Sequence, residues 1–237
     1  MKLRASALTD VGLVRPENED SFLCQEAQSL YGIADGIGGL PSGAQASQLA
    51  MATLEKMFRD YPAGQKIDYR QILSEVNQQV FNLGRILSPQ FGIGSTLTYA
   101  HLVGVKLHIT HVGDSGAFRL RSKVWEPLTK DHNVENELKE RTARGEPMGI
   151  LMENRNALTR CIGQPPPIEG DFFAHTILPH DRYLFATDGV TRFVTPAEIT
   201  TIMLASAEPA EAGAKMIARA NERGGLDNST AVVLFFD

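Results

Sequence analysis

Four aspartates of this sequence lie beside short apolar runs of the kind that form β-strands. Their motifs are Ile33-Ala34-Asp35-Gly36, Val112-Gly113-Asp114, Ala186-Thr187-Asp188-Gly189 and Leu226-Asp227-Asn228. For each motif alone, turn formation is the better explanation, because aspartate tolerates the backbone angles of turns and bonds its own turn. Together with the acidic pair Glu19-Asp20, the motifs predict carboxylates that converge where several strands end.

Converging carboxylates are a means of holding divalent cations. Two such ions about 4 Å apart repel each other by about 16 kcal/mol at an effective dielectric constant near 20, so several anions must stand beside them. Carboxylates and carbonyls are the ligands that Mg²⁺ and Mn²⁺ prefer, whereas a zinc site would use histidine and cysteine. Those two residue types are sparse around the motifs. For His101, His108 and His111, on predicted strands, we favour packing roles.

Two features near the acidic motifs have both a chemical and a structural interpretation. Arg15, just before the acidic pair, has a guanidinium suited to phosphate oxygens, although alone it would be interpreted as a surface charge. Glycines 36, 38 and 39 leave the backbone beside Asp35 open to a metal, or simply form a flexible turn before a helix. Since no Lys-Ser or Lys-Thr pair follows them, they do not form a nucleotide-binding P-loop.

The composition is that of an ordinary globular protein, and we expect one domain over 1–237. Of the 237 residues, 43% are hydrophobic and 22% charged, and the net charge is −5. No long basic run is present, which predicts no nucleic-acid binding, and no apolar segment reaches the roughly 20 residues of a membrane helix. Cys24 and Cys161 lack disulfide or zinc spacing, so we expect both to be small buried apolar residues. We expect a cytoplasmic monomer that does not bind membranes.

Helix and strand patterns alternate along the chain in blocks. Apolar spacing predicts helices at 42–59, 68–87, 196–206 and 209–223, with a polar helix at 133–144. Short β-type runs are predicted at 95–103, 106–112, 117–121, 172–178, 182–186 and 229–236. We expect the first two helices to pack together and the first three runs to form an antiparallel meander. Segregated strands with short turns favour an α+β fold in which helices cover antiparallel sheets.

Taken in chain order, the motifs resemble those of the metal-dependent protein phosphatase family, also called protein phosphatase 2C, in its compact bacterial form. The resemblance rests on Arg15 with Asn18-Glu19-Asp20, Ala34-Asp35-Gly36-Ile37-Gly38-Gly39, Gly94-Ser95-Thr96, Val112-Gly113-Asp114-Ser115, Asp131-His132, Leu158-Thr159-Arg160, Ala186-Thr187-Asp188-Gly189, and Asp227-Asn228 with Thr230. It spans nearly the whole chain. It implies a four-layer α-β-β-α sandwich of two central, mostly antiparallel sheets flanked by helix pairs, with metals at one edge.

The resemblance also implies the roles of the central residues. Asp35 would bridge two divalent cations, Mn²⁺ or Mg²⁺, and Gly36 would offer its carbonyl oxygen to one of them. Asp188 and Asp227 would complete the protein ligands of the first ion. A water activated by both ions would hydrolyse phosphoserine or phosphothreonine, while Arg15 would bind the substrate phosphate. Arg15, Asp35, Asp188 and Asp227 are thus the implied catalytic residues.

The remaining matching residues are implied to act around that pair of ions. Glu19 and Asp20 would hold the second ion or its waters, and Asn228 would support these ligands without binding the ion itself. Asp114 matches a position that, together with Asp188, binds a third and weaker ion in bacterial members.

Two positions depart from the family pattern, and one segment takes the place of a variable insert. Ile37 stands where animal members carry a histidine that protonates the leaving alkoxide, so a metal-bound water would supply that proton here. Gly116 stands where many relatives have arginine, which puts local salt bridging in doubt. The segment 133–155 takes the place of the family's flap, which shapes substrate choice. We expect a solvated face for its glutamates Glu137, Glu140, Glu146 and Glu153.

We predict a protein serine/threonine phosphatase whose substrates are a bacterial serine/threonine kinase and the targets of that kinase. Two alternatives stay open: a catalytically silent relative that binds phosphoproteins, and a phosphatase of an anti-sigma-factor antagonist. The intact Asp35, Asp188 and Asp227 argue against the silent relative. No additional sensory or regulatory domain supports the antagonist phosphatase.

Overall fold

The strands of the protein pair into two five-stranded antiparallel sheets. The computed structural model describes residues 1–40, 42–62, 64–146 and 155–237. The strands are β1 (Leu3–Asp10), β2 (Asp20–Gln25), β3 (Leu30–Asp35), β4 (Leu97–Val103), β5 (Lys106–Val112), β6 (Gly116–Arg121), β7 (Val124–Pro127), β8 (Asp171–Thr176), β9 (Arg182–Ala186) and β10 (Ser229–Phe236). One sheet has the order β1-β10-β9-β6-β7, and the other has β2-β3-β4-β5-β8.

A pair of helices covers the outer face of each sheet. The helices of the described ranges are α1 (Gly43–Arg59), α2 (Tyr69–Leu87), α3 (Val134–Ala143), α4 (Asp188–Thr191), α5 (Pro196–Ala205) and α6 (Pro209–Glu222). Helices α1 and α2 pack on the β3 and β4 side through residues such as Leu54 and Val76. Helices α5 and α6 cover the β9 and β10 side through Met203 and Met216. The predicted four-layer α+β sandwich is confirmed. None of the helices in the described ranges is long and apolar enough to span a membrane.

Strand β10 separates two of the three hydrophobic cores. All eight of its residues are buried, and successive side chains of a strand point to opposite faces. Val232 and Leu234 therefore enter the core between the two sheets, whereas Val233 and Phe235 enter the core under α5 and α6. A strand apolar on both faces is required wherever a sheet is covered on both sides.

Most sequence-predicted elements are present, with ends displaced by one or two residues. The structure adds β1, β2, β3, β7 and α4, whose bounds the sequence patterns did not give. The predicted three-strand meander is wrong, because β6 leaves the sheet of β4 and β5 and pairs with β7 and β9. The turn at Gly113, with φ of 113°, redirects the chain between the sheets, and a side chain there would collide with Thr96. Cys161 is buried as expected, whereas Cys24 is only partly so.

The predicted flap at 133–155 is described only in part, since residues 147–154, including Glu153, lie outside the described residues. Helix α3 begins after Asn133, whose side-chain oxygen accepts a hydrogen bond from the N–H of Asn136. Glu137 is exposed, and Glu140 and Glu146 make ion pairs at the surface. These contacts agree with the expected solvated face.

Helix α5 begins with a capping box that also joins it to α6. The Glu198 carboxylate accepts hydrogen bonds from the N–H and hydroxyl of Thr195 and pairs with Arg219 and Arg223. The hydrogen bonds from Thr195 and the Arg223 charge lower the pKa of Glu198 to about 2. A carboxylate whose folded-state pKa is lowered adds stability above its unfolded pKa, and that stability is lost as the pH falls through the folded value.

We therefore predict that Glu198→Gln lowers the melting temperature at about pH 7, and that the difference from the native chain narrows below about pH 4.5 and closes towards about pH 2. Thermal unfolding followed by circular dichroism in excess EDTA measures both values. A gap of constant size over this range would contradict the account, because it would mean that the Glu198 charge contributes nothing.

Candidate active site

The predicted acidic residues meet at one edge of the two sheets. Strand β2 begins at Asp20 and β3 ends at Asp35, and the antiparallel register places these two residues opposite each other. In the other sheet, β9 ends shortly before Asp188 and β10 begins shortly after Asp227, and these strands are also antiparallel neighbours. Strand ends of both sheets therefore carry the carboxylates to a common rim.

A cleft of about 570 Å³ opens at this rim. Nearly all of the sequence-predicted site residues line it, namely Arg15, Glu19, Asp35, Gly36, Asp114, Asp188, Asp227 and Asn228. Asp20 is buried beneath them. The structure thus brings the whole predicted set together in one place.

The main chain around Asp35 is fixed by the two residues that precede β4. The Asp35 N–H donates to Thr96 Oγ1 over 2.9 Å, and the Ser95 hydroxyl donates to the Asp35 carbonyl over 2.8 Å. Gly36 lies against the start of α1, where a Cβ would collide with the carbonyl of Gly43. Glycine is therefore needed at position 36 for close approach of two backbone segments.

Asp20 has one satisfied and one unsatisfied carboxylate oxygen. Its Oδ2 accepts hydrogen bonds from the hydroxyls of Thr187 over 2.9 Å and Thr230 over 2.6 Å. Its Oδ1 is buried and has no hydrogen-bond partner within the described part of the chain. A buried oxygen without a partner costs free energy, and a cation or its water would satisfy it.

The buried carboxylates raise one another's pKa values. Burial is the main cause at Asp35, and the charges of Asp20 and Asp188 raise its pKa further. Burial likewise raises the pKa of Asp20 to about 7 and that of Asp114 to about 7. Such a cluster favours binding of positive charge, whether from protons, guanidinium groups or metal ions.

Arg15 stands at the rim of this acidic cluster. Its Nη2 donates to Asp227 Oδ2 over 2.9 Å, and the side chain is 38% exposed. A Cβ on Gly38 would lie only 3.0 Å from Arg15 Nη1, so glycine gives the guanidinium room. The exposed edge of Arg15 suits it to an anion that enters the cleft.

Arg192 is a second cation in the cleft, and the sequence analysis did not identify it. Its Nη2 pairs with Asp188 Oδ2 at 2.7 Å and with Asp114 Oδ2 at 3.2 Å. The sequence does contain a signal for this ion pair, because Arg192 follows Asp188 by four residues and such a spacing places both side chains on one face of a helix. Arg192 thus supplies an ion pair to Asp114 that Gly116 cannot supply.

Asn228 and Glu19 join the two sheets behind the cleft. The Asn228 side chain accepts a hydrogen bond from the Glu19 N–H over 2.8 Å and donates to the carbonyls of Val11 and Glu17. These bonds fix the loop that carries Arg15. Burial raises the pKa of Glu19, whose carboxylate lies against Gly43 at the start of α1.

His132 holds the turn that presents Asp114. Its backbone N–H donates to the Gly113 carbonyl over 2.7 Å, and its ring Nδ1 accepts from the Gly113 N–H over 3.1 Å. The Asp131-His132 motif carried no assigned role in the sequence analysis. The two bonds give His132 a structural one, because Asp114 directly follows Gly113.

The donor set fits a hard divalent cation. Every predicted donor is an oxygen of a carboxylate or a carbonyl, as Mg²⁺ and Mn²⁺ prefer. Within the described ranges, no three His, Cys, Asp or Glu side chains are gathered closely enough to hold an ion as they stand. The guanidinium groups of Arg15 and Arg192 instead bond the carboxylates of Asp227 and Asp188. Metal binding at this edge therefore competes with these two arginines.

Comparison with known proteins decides the family. The model of the family described as protein phosphatase 2C matches residues 16–216, which is most of the chain. The chain belongs to the protein phosphatase 2C family. A protein phosphatase 2C-type protein of Streptococcus pyogenes is 32% identical, over 98% of this chain and 97% of its own length.

Solved structures agree with this protein phosphatase 2C membership. PppA of Pseudomonas aeruginosa superposes with a TM-score of 0.86 at 28% identity, over 100% of this chain and 99% of PppA. The catalytic domain of the serine/threonine protein phosphatase PstP, solved with two manganese ions, gives a TM-score of 0.81 at 31% identity, over 99% of both chains. The resemblance noted from the sequence motifs and the fold that it implied are both confirmed.

We predict that Arg192→Met tightens Mn²⁺ binding severalfold, because it removes a positive charge that competes for Asp188 and Asp114. Calorimetric titration of the metal-stripped protein measures the affinity. Arg192→Lys, which keeps the charge, and Arg219→Met, on the surface of α6, are the matched controls and should change it less. Weaker Mn²⁺ binding by Arg192→Met would show that Arg192 supports the ions instead of competing with them.

Proposed function

We propose that this member of the protein phosphatase 2C family hydrolyses phosphoserine and phosphothreonine in proteins. The observation that carries the proposal is the convergence of Asp35, Asp188 and Asp227 beside Arg15 in one cleft. The relative PstP, which is named a serine/threonine protein phosphatase and holds two manganese ions, supports the same reaction here.

The cleft residues have distinct parts in this reaction. Asp35, with Asp188, Asp227 and the carbonyl of Gly36, would hold two ions of Mn²⁺ or Mg²⁺. Bound ions of this kind supply an activated water as nucleophile and positive charge for the phosphoryl oxygens. Arg15 can donate two parallel N–H bonds to the phosphate, which orients the phosphorus atom and offsets its charge.

Cys161 lines the same cleft but is a poor nucleophile. Burial raises its pKa to about 11, and only the thiolate form of cysteine attacks phosphorus effectively. Little thiolate exists at neutral pH with such a pKa. This supports hydrolysis by water over a covalent phosphocysteine route.

The natural substrates that we propose are a bacterial serine/threonine kinase and the targets of that kinase. We further propose a cytoplasmic monomer with a single catalytic domain over 1–237, in which 133–155 acts as a flap beside the cleft. Support for the substrate class comes from membership in a phosphoprotein phosphatase family. Support for the bacterial kinase comes from the likeness of the motifs to compact bacterial members.

We expect hydrolysis to depend on the central carboxylates. Asp35→Asn or Asp188→Asn should lower the Mn²⁺-dependent hydrolysis of p-nitrophenyl phosphate and of a phosphothreonine peptide by on the order of a thousandfold. Each substitution removes one negative charge with little change of shape. Steady-state rates with Mn²⁺, Mg²⁺ or EDTA measure the effect, and Asp60→Asn, at an exposed site after α1, is the control.

The native chain should release phosphate with Mn²⁺ and none in EDTA. Full activity of both asparagine variants would contradict the assigned roles. Binding of the phosphopeptide without hydrolysis under any metal would instead favour the silent, phosphoprotein-binding relative.

We also propose that Asp114, together with Asp188, holds a third and weaker ion. The support is their proximity, since the charge of Asp188 raises the pKa of Asp114 and Arg192 pairs with both. Asp114→Ala should lower kcat at saturating Mn²⁺ by about tenfold, measured with p-nitrophenyl phosphate. Unchanged turnover at saturating Mn²⁺ would remove Asp114 from the reaction.

A further inference from the structure

A second cavity adjoins the catalytic cleft and shares two of its walls. It has a volume of about 350 Å³, and Leu40 and Cys161 line both it and the cleft. Most of its other walls come from the C-terminal half of α2 and the loop that follows, with Phe81, Arg85, Phe91 and Ile93 among them, and the rest come from Gly163, Gln164 and Pro165. We call this cavity the α2 groove.

The α2 groove is apolar, and an aromatic side chain at its lip is open to water. Phe91 is 66% exposed, whereas Ile93 at the inner wall is only 3% exposed. Two further apolar residues at the end of α2, Ile86 and Leu87, are 75% and 46% exposed. Exposed apolar side chains gathered beside a cleft are a feature of binding sites.

The floor between the groove and the cleft is tightly packed and fixed in place. The Ile37 N–H donates to the Gly94 carbonyl over 3.0 Å. A Cβ on Gly94 would lie 2.7 Å from Ile37 Cδ1 and 3.5 Å from Cys161 Sγ. A glycine at position 94 is therefore what leaves room for the Ile37 side chain there, next to Cys161. A chain segment bound in the cleft can continue over this floor into the groove.

Arg85 gives the α2 groove a preference for negatively charged ligands. Among the described residues that line the groove, it is the one with a formal charge at neutral pH, and its side chain is exposed. The adjoining catalytic cleft is strongly acidic. A carboxylate of the substrate would therefore be repelled from the cleft and attracted to Arg85. The groove thus fits an apolar side chain with an acidic neighbour.

We propose that the α2 groove binds an apolar side chain of the phosphoprotein substrate, with an adjacent acidic residue paired to Arg85, while the phosphorylated residue occupies the cleft. This rests on the proposed phosphatase function and adds a specificity site to it. The continuity of the groove with the cleft makes the substrate itself the occupant, because one extended segment reaches both.

The test uses a series of phosphothreonine peptides in an alanine-rich host, with a Phe-Glu pair moved step by step along both sides of the phosphorylated residue. The native metal-loaded protein should prefer one register by about tenfold or more in kcat/KM, chiefly through a lower KM. Phe91→Glu should remove that preference, and Arg85→Glu should shift it from Phe-Glu to Phe-Lys peptides.

The ratio of peptide to p-nitrophenyl phosphate kcat/KM isolates the groove, because the small ester is too short to reach it. This ratio should fall about tenfold in Phe91→Glu. Leu204→Glu is the matched control, since Leu204 is 45% exposed in the last turn of α5 and lines neither the cleft nor the α2 groove. It should leave both the ratio and the register preference unchanged.

Fluorescence anisotropy of the same peptides, carrying a label, measures their binding independently of their hydrolysis. If the native protein binds one peptide register more tightly and Phe91→Glu removes that preference, the proposed role of the α2 groove is supported. If, in addition, no peptide is hydrolysed, only the proposed phosphatase function is contradicted. Hydrolysis with no preferred register, or with the same preference in Phe91→Glu, overturns the groove and leaves the phosphatase standing.

Discussion

Repulsion among buried carboxylates is the constraint on which the rest of the structure depends. Asp35 lies among Asp20, Asp114, Asp188 and Asp227, and burial together with these charges raises its pKa. In isolation such a cluster would push the strand ends apart. Two well-packed sheets, joined by a core of their own, hold the strand ends in place against that repulsion.

Positive charge offsets the repulsion from two directions. Arg15 bonds Asp227, and Arg192 bonds Asp188 and Asp114, so each guanidinium neutralises carboxylates that metal ions would also require. The hydroxyls of Thr187 and Thr230 stabilise one oxygen of Asp20. The same oxygen-rich edge that costs free energy to assemble is therefore suited to gather Mn²⁺ or Mg²⁺ and to accept a phosphate beside Arg15.

Much of this arrangement was predictable from the sequence, and the rest was not for identifiable reasons. The helices are amphipathic, so the spacing of residues such as Val76 and Val80 revealed them. Most residues of strands β1 and β2 are only partly buried, and polar and apolar residues are mixed in both, so their patterns were weak. The sheet to which β6 belongs depends on the turn at Gly113, and local patterns do not show which strand a chain will meet after a turn.

The site residues themselves were predictable because the acidic turn motifs occur in the same order along the chain as those of a known family. Arg192 was missed since an arginine four residues after an acid is common on helices, and its contact with Asp114 is a tertiary one. The α2 groove was not visible either, because Leu40, Phe91 and Cys161 are distant in the chain and meet only in the fold.

The most direct test of the account is the number of Mn²⁺ ions that the metal-stripped native chain and Asp35→Asn bind, measured by calorimetric titration. If Asp35 bridges two ions at the common rim, the native chain binds two tightly, and Asp35→Asn loses high affinity at both sites together. Two ions bound by Asp35→Asn with undiminished affinity would contradict the claim that the carboxylates converge on Asp35 to hold a metal pair.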